Sequence, residues 1–187
     1  MLNIVSTPIG NLGDFSPRAM TALQEADIIA CEDTRTTRKL LALCSLNVRA
    51  KLMAYHDHNG QEMRPKLLAL LEAGRTIALV SDAGTPLISD PGYKLVEACH
   101  NRGVRVTATP GPAAPLMALT ISGLPTDRFT FQGFVPQKQN VARAHIMESA
   151  NLPMTQIWFE TPKRLAATLH LMAEIYGNRY CFIAREL

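Results

Sequence analysis

Val80-Ser81-Asp82-Ala83-Gly84-Thr85-Pro86-Leu87-Ile88-Ser89-Asp90-Pro91-Gly92 is the stretch that decides the fold class. It continues Thr76-Ile77-Ala78-Leu79-Val80, a short, uninterrupted apolar run of the kind that a parallel strand covered on both faces requires. The loop therefore stands at the carboxyl end of a strand, where open α/β sheets bind their ligands. Gly84, Pro86, Pro91 and Gly92 give it a stiff backbone with little side-chain bulk, so main-chain N–H and C=O groups can approach a ligand closely.

Two more segments have the same character: Thr7-Pro8-Ile9-Gly10-Asn11 after the first apolar run, and Thr109-Pro110-Gly111-Pro112-Ala113-Ala114 after the fifth. One Pro/Gly turn is an ordinary connection. Three at strand ends, which a doubly wound sheet gathers along one crevice, indicate a ligand site. Gly10 and Gly13 do not fit the Gly-x-Gly-x-x-Gly spacing and no Gly-Lys-Ser/Thr occurs, which argues against NAD and ATP.

The rest of the first 125 residues alternates strand and helix, which predicts a parallel sheet. Helices are expected over 16–26, with Ser16 as N-cap and Pro17 at its first position, over 34–43, and over 61–73 with a stop at Gly74. A further helix should start at Pro91, capped by Asp90, and end at Gly103. Strands are expected over 27–31, 49–55, 76–80 and 104–107. Leu124-Pro125-Thr126-Asp127 reads as a domain linker, giving an amino-terminal domain over 1–124 and the start of a second over 125–187. The second should hold strands at 129–134, 155–160 and 180–184, with helices at 140–149 and at 162–176, the latter capped by Thr161.

The chain has 187 residues, 47% hydrophobic and 19% charged, enough for an ordinary core. A net charge of +3 does not by itself indicate nucleic acid, so any electrostatic footprint must be local. Arg35, Arg38 and Lys39 form one basic cluster; Lys138, Arg143, Lys163 and Arg164 supply others, each equally readable as a solvated helix face. Cys31, Cys44, Cys99 and Cys181 lack Cys-x-x-Cys spacing, so reduced thiols, no structural zinc and a cytoplasmic location are expected. No run approaches membrane-spanning length.

Ser6-Thr7-Pro8-Ile9-Gly10-Asn11-Leu12-Gly13-Asp14, Cys31-Glu32-Asp33-Thr34-Arg35, Tyr55-His56-Asp57-His58-Asn59, the loop from Ser81, Pro110-Gly111-Pro112-Ala113-Ala114 and Ser122-Gly123-Leu124-Pro125-Thr126-Asp127 occur in one order. In these six motifs the chain closely resembles the small-subunit ribosomal RNA methyltransferase I family of the tetrapyrrole methylase superfamily. The resemblance spans the whole chain. It implies two α/β domains with a cofactor cleft between them, the second incomplete here, and a homodimer. It also implies S-adenosylmethionine as cofactor and small-subunit (16S) ribosomal RNA as partner, methylated on the ribose 2'-hydroxyl of a cytidine. The closest alternative is a corrin- or porphyrin-type methylase, and one from another class is a nonenzymatic RNA-binding fragment.

Carried over by motif, Pro8, Gly10, Asp82, Gly84, Thr85, Pro86, Ser89, Gly111, Ala113 and Ala114 are expected around the cofactor, mainly through backbone. Superfamily relatives commonly have Gly-Asp-Pro where this chain has Gly84-Thr85-Pro86, which leaves Asp82 and Thr85 as alternative polar contacts. Ala113 stands where close relatives commonly have serine. Glu32, Asp33 and Arg35 follow the second strand and should face the same crevice, a carboxylate taking the hydroxyl proton and Arg35 holding a phosphate or lowering that carboxylate's pKa. Asp33 reads equally well as the cap of the helix beginning at Thr34. His56 and His58, two apart in an extended segment, share a face suited to a proton relay or to metal; with no third ligand evident, no metal is assigned. The order for the general base is Glu32 or Asp33, then His56 or His58. Lys163 and Arg164 suit a phosphate contact, while Trp158 and Phe159 read as strand core rather than a base-stacking surface.

Overall fold

A computed structural model describes residues 1–187. The chain divides into two compact units, Met1–Ala114 and Pro115–Leu187. The first contains β1 (Leu2–Val5), α1 (Pro17–Glu25), β2 (Ile28–Cys31), α2 (Thr34–Leu43), β3 (Lys51–Ala54), α3 (Gly60–Glu72), β4 (Ile77–Val80), α4 (Tyr93–Asn101) and β5 (Val106–Thr109). Its five strands are parallel in the order β3-β2-β4-β1-β5. Every residue of β2 (Ile-Ile-Ala-Cys) and β4 (Ile-Ala-Leu-Val) is buried, as expected for central strands covered on both faces.

Alternate strand residues feed two apolar layers. Val5, Ile29, Cys31, Ala78 and Val80 pack with Ala19 and Leu23 of α1 and Leu41 of α2. Leu2, Ile28, Ala30, Ile77 and Leu79 pack with Leu67 and Leu71 of α3 and Leu95 and Cys99 of α4. Burying each large aliphatic side chain contributes roughly 1.5–3 kcal/mol. From β1 the chain crosses towards β2, and from β4 it crosses the opposite way to β5. The adjacent β1 and β4 are thus the topological switch point, and the crevice of such a sheet opens at their carboxyl ends.

The second unit holds most of α5 (Ala114–Ile121), then β6 (Phe129–Phe134), α6 (Gln139–Ser149), β7 (Thr155–Phe159) and α7 (Leu165–Tyr176). β6 and β7 form a parallel pair whose register shifts between Phe131 and Phe134. Val135, Ala142, Ile146 and Leu171 form its core, with Trp158 and Tyr176 packed against them.

Ser16 caps α1 with Pro17 at the start, and α2 spans the expected residues. Several expectations are corrected. The cap of α4 is Gly92 at φ 136, not Asp90; position 92 takes glycine because a side chain there would press on Leu79 and Leu87. β5 begins at Val106 rather than at 104, since Val104 N–H donates to Cys99 O and Gly103 N–H to His100 O, a two-bond cap that holds Val104 on the helix end. Thr161 does not cap α7; residues 162–164 form a turn and Arg164 precedes the helix. Residues 180–184 are not a strand: they pair with neither β6 nor β7, and Tyr180 is 93% exposed. The division after Ala114 lies one helix ahead of the linker expected at Leu124-Pro125. No helix is long and apolar enough to cross a membrane.

Candidate active site

The loops after β1, β4 and β5 meet beyond the carboxyl ends of those strands. Thr7 N–H donates to Gly84 O at 2.9 Å and Gly84 N–H to Thr7 O at 3.1 Å, an antiparallel bridge between the first two loops. Thr85 Oγ1 donates to Pro112 O at 2.9 Å, which joins the second loop to the third. Ser6 Oγ lies 3.1 Å from Thr85 Oγ1, and Ser6 N–H donates to Thr109 O at 3.2 Å. Ser6, Thr7, Ser81 and Thr109 are all buried although polar, and each of the other three hydroxyls also has an acceptor: Thr7 Oγ1 donates to Ser81 O at 3.4 Å, Ser81 Oγ to Ala83 O at 3.2 Å and Thr109 Oγ1 to Asn3 Oδ1 at 3.2 Å.

Gly84 has φ +77, and a Cβ there would stand 3.2 Å from Ile9 Cγ2 and 3.6 Å from Pro112 O. A Cβ on Gly111 would stand 2.7 Å from Ser6 Cβ, closer than real contacts allow. Leu87 (φ 72) and Ser89 (φ 65) also occupy the left-handed region. Strain of about 1–3 kcal/mol at such non-glycine positions persists where surrounding structure enforces it, typically at ligand sites. Pro8 and Pro86 are buried, Ala113 and Ala114 half-buried, and Gly10, Ser89 and Gly111 exposed.

Asp82 is exposed and its Oδ1 accepts Asp33 N–H at 3.2 Å, tying the end of β2 to the β4 loop. Glu32 is pushed above the ordinary carboxylate range, chiefly by burial and then by the charges of Asp82, Asp90 and Asp57. Asp90 is raised by its own burial, an effect that Ser81 partly offsets and Asp82 reinforces. Sequence reasoning missed Asp90 by assigning it to a helix cap, and missed Ser6 because its role depends on contacts with distant loops. Ser6 did stand in the first motif, directly before Thr7-Pro8.

Asp33 caps α2, accepting Arg35 N–H at 2.7 Å, and pairs with the Arg35 guanidinium at 2.7 Å. The Arg35 contacts hold its carboxyl down at about 2. His56 and His58 do not lie in an extended segment. Residues 57–59 turn, with Asn59 Oδ1 accepting His56 N–H and Asn59 Nδ2 donating to Ala54 O, and the two rings meet edge to face at 5.9 Å. No group of three or more His, Cys, Asp or Glu side chains is arranged to hold a metal ion.

In the second unit the phosphate reading of Arg164 is corrected. Its guanidinium donates to Val135 O and Pro136 O at 3.0 and 2.8 Å and pairs with Glu160 at 3.3 Å, so it ties β7 to the end of β6. Lys163 remains exposed. Arg143 pairs with Glu174. Trp158 is half-buried against the core and stacks edge to face with His145. A cavity of about 770 Å³ lies in this unit, lined by Leu124, Met154, Trp158, Met172, Tyr176 and Phe182 among others; none of the expected site residues borders it.

A family model described as tetrapyrrole (corrin/porphyrin) methylases matches residues 1–187. Similar curated proteins named ribosomal RNA small subunit methyltransferase I include that of Mesorhizobium japonicum, 51% identical over all of this chain and 63% of that protein. The Xylella fastidiosa relative is 48% identical over all of this chain and 68% of its own length, and the Escherichia coli O157:H7 relative 49% identical over all of this chain and 65% of its length. The chain thus spans about two thirds of the length of the curated relatives it matches. Among solved structures it resembles a diphthine synthase (TM-score 0.68, 14% identity, 92% of this chain and 70% of that one). It also resembles uroporphyrin III C-methyltransferase from Thermus thermophilus (TM-score 0.62, 18% identity, 95% and 77%). At these identities the likeness is one of fold.

Proposed function

The chain belongs to the tetrapyrrole (corrin/porphyrin) methylase family and, within it, to the ribosomal RNA small subunit methyltransferase I family, and from that premise we propose that it uses S-adenosylmethionine to methylate the ribose 2'-hydroxyl of a cytidine in small-subunit ribosomal RNA. The observation that carries this reading is the meeting of three small-residue loops at the β1/β4 switch point, beside carboxylates that crowd Glu32. Such a site fits the cofactor's chemistry. Gly84, Gly111, Ala113 and Ala114 leave room for close main-chain approach, and Asp82, Asp90 and Glu32 supply negative potential suited to a sulfonium and an ammonium group. When bound, S-adenosylmethionine supplies an activated methyl group.

The chain's own residues would align the ribose oxygen with that methyl group and remove the hydroxyl proton. Glu32 is the carboxylate suited to the proton: its raised affinity brings it closer to the working pH than an ordinary glutamate. Asp33 is a poor base because the Arg35 contacts and the helix cap hold it ionised. We assign Asp33 to positioning Arg35 at the start of α2, where the side chain, 86% exposed and held by Asp33 through Nε and Nη2, keeps Nη1 for a phosphate. His56 and His58 are assigned to the substrate side as the second choice for the proton. Thr85, its hydroxyl already donated to Pro112 O, is a weaker cofactor contact than Asp82. A homodimeric state and cytoplasmic residence complete the proposal.

The deciding experiment supplies methyl-labelled S-adenosylmethionine with small ribosomal subunits, with free small-subunit RNA and with a porphyrinogen. Label recovered as 2'-O-methylcytidine after nuclease digestion is the expected result. Label on the macrocycle alone would move the chain to the corrin/porphyrin branch. RNA binding without S-adenosylhomocysteine binding would make it a nonenzymatic RNA-binding fragment.

A further inference from the structure

Ser6 touches all three crevice loops. Its residue opens the first, its hydroxyl reaches Thr85 in the second, and its Cβ occupies the space that a side chain at position 111 of the third would need. The direction of the hydrogen bonds follows from the partners. Pro112 O can only accept, so Thr85 gives its single hydroxyl hydrogen there at 2.9 Å. Thr85 Oγ1 then has only lone pairs to offer Ser6, and Ser6 must donate across the 3.1 Å gap. The result is a one-way relay, Ser6 O–H to Thr85 O–H to Pro112 O=C, in which each bond polarises the next. Its starting residue is 3% exposed.

We propose that Ser6 and Thr85 are positioning residues that lock the spacing of the three loops and so set the affinity for the nucleoside cofactor, a proposal that rests on the functional reading above. A hydroxyl that only filled space would tolerate removal at either position. In a relay, losing Ser6 weakens the remaining bond and losing Thr85 removes both, and in either case the loops are freer to separate. The Thr7–Gly84 bridge, directly beside the relay, reports that separation without any ligand.

The test uses Ser6→Ala, Thr85→Val, the double variant and Thr85→Ser, each checked for an unchanged far-ultraviolet spectrum. In the ligand-free chain, amide exchange at Thr7 and Gly84 should quicken in both single variants, with no further increase in the double, and Thr85→Ser should restore it. Titration with S-adenosylhomocysteine should show Ser6→Ala weakened by about three- to tenfold, the scale of one neutral hydrogen bond, and Thr85→Val, which loses two, weakened at least as much, with the double no weaker than Thr85→Val. Unchanged exchange, or single-variant losses that sum in the double, would overturn the relay. Failure of the unaltered chain to bind S-adenosylhomocysteine would count against the functional reading instead, and amide exchange would still decide the relay.

Discussion

The crevice of the first unit and the cavity of the second are built in opposite ways. Around the crevice, glycines, alanines and prolines present main chain, and buried hydroxyls tie the loops together. Around the cavity, Trp158, Tyr176, Met172 and Phe182 present bulk and line a half-open space of about 770 Å³. In this chain the aromatic-lined cavity and the better candidate for chemistry are therefore different places, and substitutions on either side test the contrast.

The largest effect is expected from Glu32→Gln, which should lower turnover by about 10²–10³-fold while S-adenosylhomocysteine affinity stays within about threefold. Because the folded state raises the Glu32 pKa, the glutamate costs stability once pH rises through that value, so the same variant should melt higher at neutral pH. In the unaltered enzyme, activity should fall on the acid side at a pH above the ordinary carboxylate value. A variant of full activity would remove the carboxylate from the chemistry.

Next comes Gly84→Val, which forces a β-branched residue to φ +77 against Ile9 and Pro112. Cofactor affinity should fall by at least about 100-fold, with the fold retained at a loss of roughly 1–3 kcal/mol; calorimetric titration and thermal melting separate the two. Trp158→Ala should do the reverse, costing roughly 2–4 kcal/mol in denaturant unfolding with S-adenosylhomocysteine affinity unchanged. Weakened binding there would erase the contrast between the two regions.

The smallest effect is expected from Asp33→Asn. The carboxyl is held at about 2 against an ordinary 3.8, so its stabilising contribution is present above the unfolded value and lost as pH falls between those values. Melting curves from pH 5 to 2 should slope less in the variant, with neutral-pH turnover nearly intact.

Much of the first unit could be read from residues alone because its signals are local. Four successive apolar residues in β2 and β4 demand cover on both faces, and Ser16-Pro17 states a helix start in two letters. Errors arose where a local signal had a distant competitor. Asp90-Pro91 reads as a cap, yet the helix starts after Gly92, whose φ of 136 and tight fit against Leu79 and Leu87 suit glycine alone, and Asp90 is left half-buried beside the crevice. Arg164 reads as a free cation until Glu160 and the carbonyls of Val135 and Pro136 engage it. Of the site, the glycine positions were legible because each demands a backbone conformation or a close approach. The Ser6 to Thr85 to Pro112 relay was not, because it joins residues that only the strand order brings together.

That strand order also sets a schedule. β1 pairs with β4 and β5 and with no strand between them in sequence, so Leu2–Val5 has no partner until Ile77 has been made. At about 5–20 residues per second, translation keeps this strand waiting for roughly 4–15 s. Meanwhile β2 and β3, separated by α2 alone, can pair. The crevice can therefore form only once β4 and β5 have been made and β1 lies between them, carrying Ser6 and Thr7.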